Sequence, residues 1–245
     1  MRRGRFAPAA GLTLLALLLC ALFVHLGFWQ WHRWMHSDAA WKRFARGADA
    51  LQPLGARALE QLPLYQRVSV TGRLDGQHQF LLDNMSDRGR PGYQVLTPLA
   101  RAGGAVLLID RGWVPFTGAR SRLPDVTVSD AAPVSLSGRV ADLPSAGLAI
   151  GRAPPNLADP WPRVTSFPHA AELAASLGVP LGERILLLDP DAPDGYQRDW
   201  QPPGLAPLRH LSYALQWWCF AALTVVGWAI LGVRRARSLS APGLQ

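Results

Sequence analysis

The chain has only two cysteines, Cys20 and Cys219, and both lie inside apolar runs. The long stretch between them has none, so it can form no disulfide, no Cys-x-x-Cys redox pair and no thiolate metal site. That lack does not argue against an oxidising compartment, because a domain of this size buries an adequate core without cross-links. Histidine is sparse as well, six in 245 residues. The middle of the chain holds only His78 and His169, far apart and without metal-ligand spacing. No Gly-x-Ser-x-Gly, phosphate-binding glycine loop, His-Glu-x-x-His or dinucleotide fingerprint occurs. These absences speak against an enzyme; a hydrolase would have to be built from a scattered Ser-His-Asp set.

The formal net charge of +8 raises the question of nucleic acid, and its placement answers it. Arg2, Arg3 and Arg5 precede the first apolar run, and Arg234, Arg235 and Arg237 follow the last one, in tails without Asp or Glu. The remainder is nearly balanced. A nucleic-acid binder concentrates basic charge on its folded domain; here the charge sits where membrane proteins carry cytoplasmic anchors. Nucleic acid is therefore excluded as a partner.

What is present is hydrophobic length. Ala9 to Phe28 is an apolar run with one polar exception worth noting, His25, and a spanning helix needs about 20 such residues. A cleaved signal peptide would have a shorter apolar region followed by small residues. This run ends instead in Gly27-Phe28-Trp29-Gln30-Trp31, so an uncleaved anchor over residues 9–31 is predicted. A second span is predicted over 209–233, with its apolar part from Ser212 to Val233. Pro202, Pro203 and Pro207 are expected to break whatever precedes it. Trp29, Trp31 and Trp34 at one end, and Tyr213, Trp217 and Trp218 at the other, form aromatic belts that share one membrane face. With basic tails at 1–8 and 234–245, both termini are expected in the cytoplasm and residues 32–208 outside. The uncleaved anchor and the Ala-, Arg- and Pro-rich composition favour a bacterial inner membrane.

Between the spans, a short amphipathic helix is expected from Ala39 to about Leu51. The pattern then turns to period two: Arg67-Val68-Ser69-Val70-Thr71-Gly72-Arg73-Leu74 alternates as a half-buried strand does. Further strands are expected at Gln79–Asp83, Tyr93–Leu99, Ala105–Ile109, Pro133–Val140 and Glu183–Leu188, with one helix from His169 to Leu177. Val68–Leu74 and Val134–Val140 are near copies, each with a glycine where a curved sheet turns. The predicted fold is thus a membrane protein of the α+β class, two transmembrane helices flanking an antiparallel, partly closed β-domain with one or two short helices.

The densest chemistry lies at the membrane boundary. His25, Trp29, His32 and His36 fall on one helical stripe, as do His210, Tyr213 and Trp217. An imidazole beside aromatic rings at the lipid edge could ligate a haem iron; the same residues also serve as amphipathic anchors at headgroup level. His25 stands inside the apolar run, where a polar side chain usually faces protein. The second cluster is Arg111-Gly112-Trp113-Val114-Pro115. Arg111 either binds a carboxylate of a ligand or partner, or pairs with a nearby acid while Gly112 makes a turn and Trp113 packs on the sheet.

These residues resemble the surfeit locus protein 1 family of cytochrome oxidase assembly factors. Leu26-Gly27-Phe28-Trp29-Gln30 with Arg33 is similar to the family's opening motif, and Tyr65–Gly72 to its first strand. Gly92-Tyr93 with Pro98 matches its middle, Arg111–Pro115 its internal signature, and His210–Trp217 the start of its second span. Two departures stand out: Asp110 and Arg209 occupy positions where the family commonly has Asn. The resemblance implies a non-enzymatic role in maturing haem–copper oxidase, with the oxidase catalytic subunit and the haem a synthesis machinery as partners. It further implies haem a as a transiently bound group with His210 as iron ligand, and the placement of the boundary histidines offers His25, His32 or His36 as a second. A scaffold that steadies the catalytic subunit without touching haem is the alternative.

Overall fold

The structure is a computed structural model, which describes residues 6–47, 50–130, 132–145, 151–202 and 204–240. It divides into two compact units, one made of both chain ends (1–42 with 202–245) and one of residues 43–201.

The first unit is a helix pair. α1 runs from Ala10 to Arg46 without a break, 37 residues, and so spans about 55 Å against the ~30 Å of a bilayer's hydrocarbon. No separate amphipathic helix begins at Ala39, because no Gly or Pro lies between Phe28 and Arg46 to end the first one. It stops at Gly47, whose N–H bonds the Arg43 carbonyl at 2.8 Å. α3 (Pro207–Ser240) likewise starts earlier and ends later than its apolar core. Pro207, expected as a breaker, is the first residue of the helix, where a missing N–H costs nothing and φ is already suitable. Both helices are apolar and long enough to cross a membrane, and their apolar windows are largely unburied by the protein itself. This is a membrane protein.

Lipid tails are as apolar as leucine, so the two helices associate through fit and hydrogen bonds. The contact seam on α1 steps by three and four residues: Thr13, Ala16, Cys20, Phe23, Gly27, Gln30. Trp228 Nε1–H donates to Thr13 Oγ1 at 3.0 Å and Cys20 Sγ donates to the Ala221 carbonyl at 3.6 Å. Phe23 stacks on Trp217 with centroids 5.8 Å apart. The Trp218 ring fills the notch at Gly27, where any Cβ would collide with it. On α3 the facing positions are small, Ala214 and Ala221, both buried. The pair is antiparallel.

The second unit is a small closed barrel. β2 (Arg67–Leu74), β4 (Arg90–Ala100), β5 (Leu107–Pro115), β6 (Val134–Asp142) and β8 (Arg184–Leu188) form a ring in the order β2-β6-β8-β5-β4, with β4 closing on β2. All neighbours are antiparallel except β5 and β8. β3 (Phe80–Asp87) extends the sheet from β4 and carries β7 (Arg163–Thr165), while β1 (Gln52–Pro53) adds to β2. The near-copy segments are neighbours, with Val68 opposite Gly138 and Gly72 opposite Val134. The expected β-domain is present, and its closure is complete.

Alternate residues of the five strands converge inside the ring: Val68 and Val70, Ile109, Val140, Leu186 and Leu188. The other face of the sheet packs Phe80, Leu82, Leu96, Leu108 and Ile185 against Leu173 of α2 (Ala170–Leu177). Leu107, Leu108 and Ile109 thus alternate between two cores, so this strand reads as a continuous apolar run rather than an alternating one.

The Arg111–Pro115 segment is not a turn after a strand. β5 continues through it, and the pairing shifts so that Arg111 and Gly112 together oppose Val95. This β-bulge is the role of Gly112, whose φ is 111°. A Cβ there would stand 2.7 Å from the Gln197 carbonyl. Gly112→Ala is therefore expected to destabilise the barrel by roughly 1–3 kcal/mol. Gly118→Ala, also at positive φ (88°) but facing open space, is expected to cost less. Thermal unfolding of the two full-length variants in detergent checks the order.

Candidate functional site

Each unit contains one concentration of polar groups. In the helix pair it centres on His210, in the first turns of α3 and only 6% exposed. The seam described above brings Gln30 of α1 against it, with His210 Nδ1 2.9 Å from Gln30 Oε1. A carbonyl oxygen can only accept, so Nδ1 is the donor in this contact, and in a neutral imidazole Nε2 then keeps its lone pair. A second-shell bond of this kind fixes tautomer and ring orientation in metal-ligating histidines. Beside it lies a cavity of about 400 Å³ lined by Arg33, His36, Ser37, Ala40, Gly204, Leu205 and His210.

The other boundary residues divide between two faces. Trp217 turns into the seam against Phe23 and Phe220. Tyr213 is exposed, and so is Arg209, beside His210. His25, Trp29 and His32 are exposed on the side of α1 away from α3, so the pair does not bring His25 or His32 to His210. His25 accordingly makes no hydrogen bond to the second helix; its face is turned outward from this chain. His36, at the end of the same stripe, does reach the His210 cavity. Arg33 lies with its guanidinium 5.5 Å from the Trp29 ring centre.

In the barrel, Arg111 points inward and is buried. No acid pairs with it among the described residues, contrary to the structural reading of this motif. Its Nε donates to the Asp194 backbone carbonyl at 2.7 Å, and its Nη1 to Gln79 Oε1 at 2.9 Å and the Val126 carbonyl at 3.1 Å. Its face lies over Tyr196 at 4.9 Å. Gln79 is held in turn by the Thr97 hydroxyl, 2.7 Å from its Oε1, and donates to the Gly76 and Val126 carbonyls. A buried network satisfied in this way rigidifies a core; it ties β4 and β5 to the segment before β3 and to two loops. Trp113 takes the Arg90 guanidinium on its ring at 5.2 Å and donates to the Met85 carbonyl.

Next to Arg111, Asp110 points out of the barrel and is completely buried. Its Oδ1 accepts the Gly112 N–H at 3.0 Å, and its Oδ2 has no partner. Burial pushes its pKa up to about 7, against the smaller opposing effect of that hydrogen bond. Arg111 is adjacent in sequence but on the other face of the strand, and does not offset the charge.

The barrel unit also has a cavity of about 490 Å³ that includes Asp142, Arg152, His169 and Glu183. Two of these groups are engaged nearby: Arg152 donates two hydrogen bonds to the Glu172 carboxylate, both at 2.7 Å, and the His169 backbone N–H donates to the same carboxylate at 2.9 Å at the start of α2. No group of three metal-ligating side chains occurs among the described residues.

Sequence reasoning missed the His210–Gln30 bond, the Gln79–Thr97–Arg111 network and the depth of Asp110. A signal for the first existed in the small residues Ala16, Cys20 and Gly27, which mark the packing face.

The class of protein is thereby defined: a two-span membrane protein with a closed five-stranded barrel domain and a buried, hydrogen-bonded histidine in its helix pair. A sequence model of the SURF1 family matches residues 17–222, and the chain belongs to that family. It is 29% identical over 184 residues to an uncharacterised SURF1-like protein of Mycobacterium bovis, and to others from two strains of Mycobacterium tuberculosis. The alignments cover 73% of this chain, and it spans 65% of the length of these relatives.

The Asp110 carboxyl gives a prediction with a definite sign. Folded, it keeps its proton up to about pH 7; unfolded, it loses it near 3.8. The unfolded state therefore binds fewer protons between those values, and stability falls as pH rises through that window, by roughly 4 kcal/mol in all. Asp110→Asn keeps the acceptor for Gly112 and removes the charge. It is expected to match the wild type near pH 4 and to melt higher at pH 8, as thermal scans of both proteins across pH will show.

Proposed function

We propose that this protein is a non-enzymatic assembly factor for haem–copper cytochrome oxidase that holds haem a through His210 and assists its insertion into the catalytic subunit. Membership of the SURF1 family supports the assembly role. The observation that carries the haem reading is the His210–Gln30 bond, because it presents an imidazole with Nε2 as its free electron pair at the edge of an apolar span. The donor set suits the cargo: one buried imidazole and, beside it, a cavity whose wall carries a guanidinium. Haem a supplies the iron; the chain supplies ligand, orientation and shelter from water, then release. The barrel domain is assigned to the periplasmic side of a bacterial inner membrane and both termini to the cytoplasm, on the basis of the arginines that flank the spans. The partners are the catalytic subunit and the machinery that makes haem a.

A second reading, a haem-independent scaffold for the catalytic subunit, is favoured by the barrel itself. Its buried polar groups around Arg111 are satisfied internally, which leaves its outer surface for protein contacts. Co-purification with the catalytic subunit from cells unable to make haem a would support the scaffold.

Full-length protein purified from cells that make haem a is expected to carry a stoichiometric haem a spectrum, lost in His210→Ala. A folded wild type without haem would sink the chaperone reading and leave the scaffold. For orientation, alkaline phosphatase fused after Arg120 is expected to be active and fused after Gln245 inactive; the reverse pattern would invert the topology.

A further inference from the structure

The helix pair carries polar side chains that ligation of an iron by His210 leaves unused. The cavity beside His210 is about 400 Å³, within the ~300–1,000 Å³ of small-molecule sites. Its lining includes a guanidinium and a second imidazole, Arg33 and His36, but no carboxylate. The acid closest in sequence, Asp38, is taken by Lys42 at 2.7 Å. Arg33 has no acidic partner among the described residues. Its guanidinium carbon lies over the Trp29 ring, and no hydrogen bond among the described residues engages its N–H groups, the donors that match a carboxylate or phosphate.

The order of these groups along α1 adds direction. Gln30, which meets His210, is followed by Arg33 and then His36, about 4.5 and 9 Å further along the axis. The apolar run lies on the other side of Gln30. Polarity therefore rises in one direction, from hydrocarbon, past an iron-binding imidazole, to a cation at the aqueous end. An amphiphile with a metal at its centre and acids on one edge fits that gradient in a single orientation. Haem a has this form, with an apolar tail on one side of the ring and two propionates on the other.

We propose that Arg33, assisted by His36, is a carboxylate site that takes the propionate edge of haem a while His210 faces the iron. This rests on the haem reading above. Arg33 is then a specificity residue: it selects the free acid and fixes which edge of the ring points to water.

The test uses full-length protein in phosphatidylcholine nanodiscs, titrated with haem a and with its dimethyl ester while the Soret band is followed. The wild type is expected to bind the acid about tenfold to a hundredfold more tightly than the ester, the value of one charge-assisted hydrogen bond. Arg33→Gln is expected to bind acid and ester equally, at the wild-type ester affinity, and Arg33→Lys to recover part of the difference. Arg209→Gln, a neighbouring cation outside the cavity, is expected to discriminate as the wild type does. Far-UV circular dichroism verifies that each variant is folded. A wild type that binds acid and ester alike, or an Arg33→Gln variant that still discriminates, overturns the carboxylate site and leaves His210 ligation standing. A wild type that binds neither overturns both. Discrimination that vanishes when phosphatidylglycerol is added would assign the guanidinium to a lipid phosphate and overturn the proposal.

Discussion

Within hydrocarbon the hydrophobic effect does not draw one helix to another, so the antiparallel pair at the chain ends is held by the shape of its seam. The decisive fit is the Trp218 ring in the notch at Gly27, which no other residue could provide without displacing the ring. Once that contact is made, the three-and-four spacing sets the remaining register. Thr13 meets Trp228, Cys20 meets Ala221, and Gln30 arrives at His210. The chemistry offered at the end of the pair is a consequence: the His210 Nδ1–Gln30 Oε1 contact and a cavity with a cation in its wall both follow from a one-residue notch almost a full turn away.

The barrel is governed by a different constraint. Closing five short strands leaves little room inside, and most of it is filled by aliphatic side chains. At Arg111 the ring admits a guanidinium, and the burial of that charge is offset by carbonyl oxygens and the face of Tyr196 rather than by an acid. The bulge at Gly112 permits this, because it lets β5 continue past the break in register with Arg111 still pointing inward. The neighbouring Asp110 pays for the same geometry on the outer face, half satisfied and held neutral up to about pH 7. The position where the family commonly has Asn is thus one where a neutral side chain suits the site.

Much of the architecture was legible in the sequence. The apolar runs located both helices, and apolar pattern with turn signals located the six longer strands, including the near-copy pair that turned out to be neighbours, while the short β1 and β7 were not expected. The misread boundaries have simple causes. A second helix was expected after the first because the pattern changed from apolar to amphipathic, but a change of surroundings does not break a helix; only Gly47 does. The second span was expected from 209, two residues late, because its apolar part starts only at Ser212 while the helix already starts at Pro207. Gly112 was read as a turn because glycine at positive φ serves turns and bulges alike, and only a partner strand distinguishes them.

The site was legible in residue type and not in arrangement. Composition and position marked His210 and Arg111, the family resemblance added Gln30 and Arg33, and the helical period placed His25, His32 and His36 on one stripe. Which face of that stripe looks inward is not a property of the period. It is decided by small residues and one large ring on the opposite helix, and they leave His25 and His32 outside the pair. The His210–Gln30 contact joins residues 180 positions apart, as the Arg111 network joins strands and loops from three parts of the chain. The sequence by itself determined the two spans, the kind of domain between them and the residue types available for chemistry, because hydrophobic length and period are local quantities. Only the tertiary structure decided which imidazole is buried and which way its proton points, because those depend on steric fit between segments far apart in the chain.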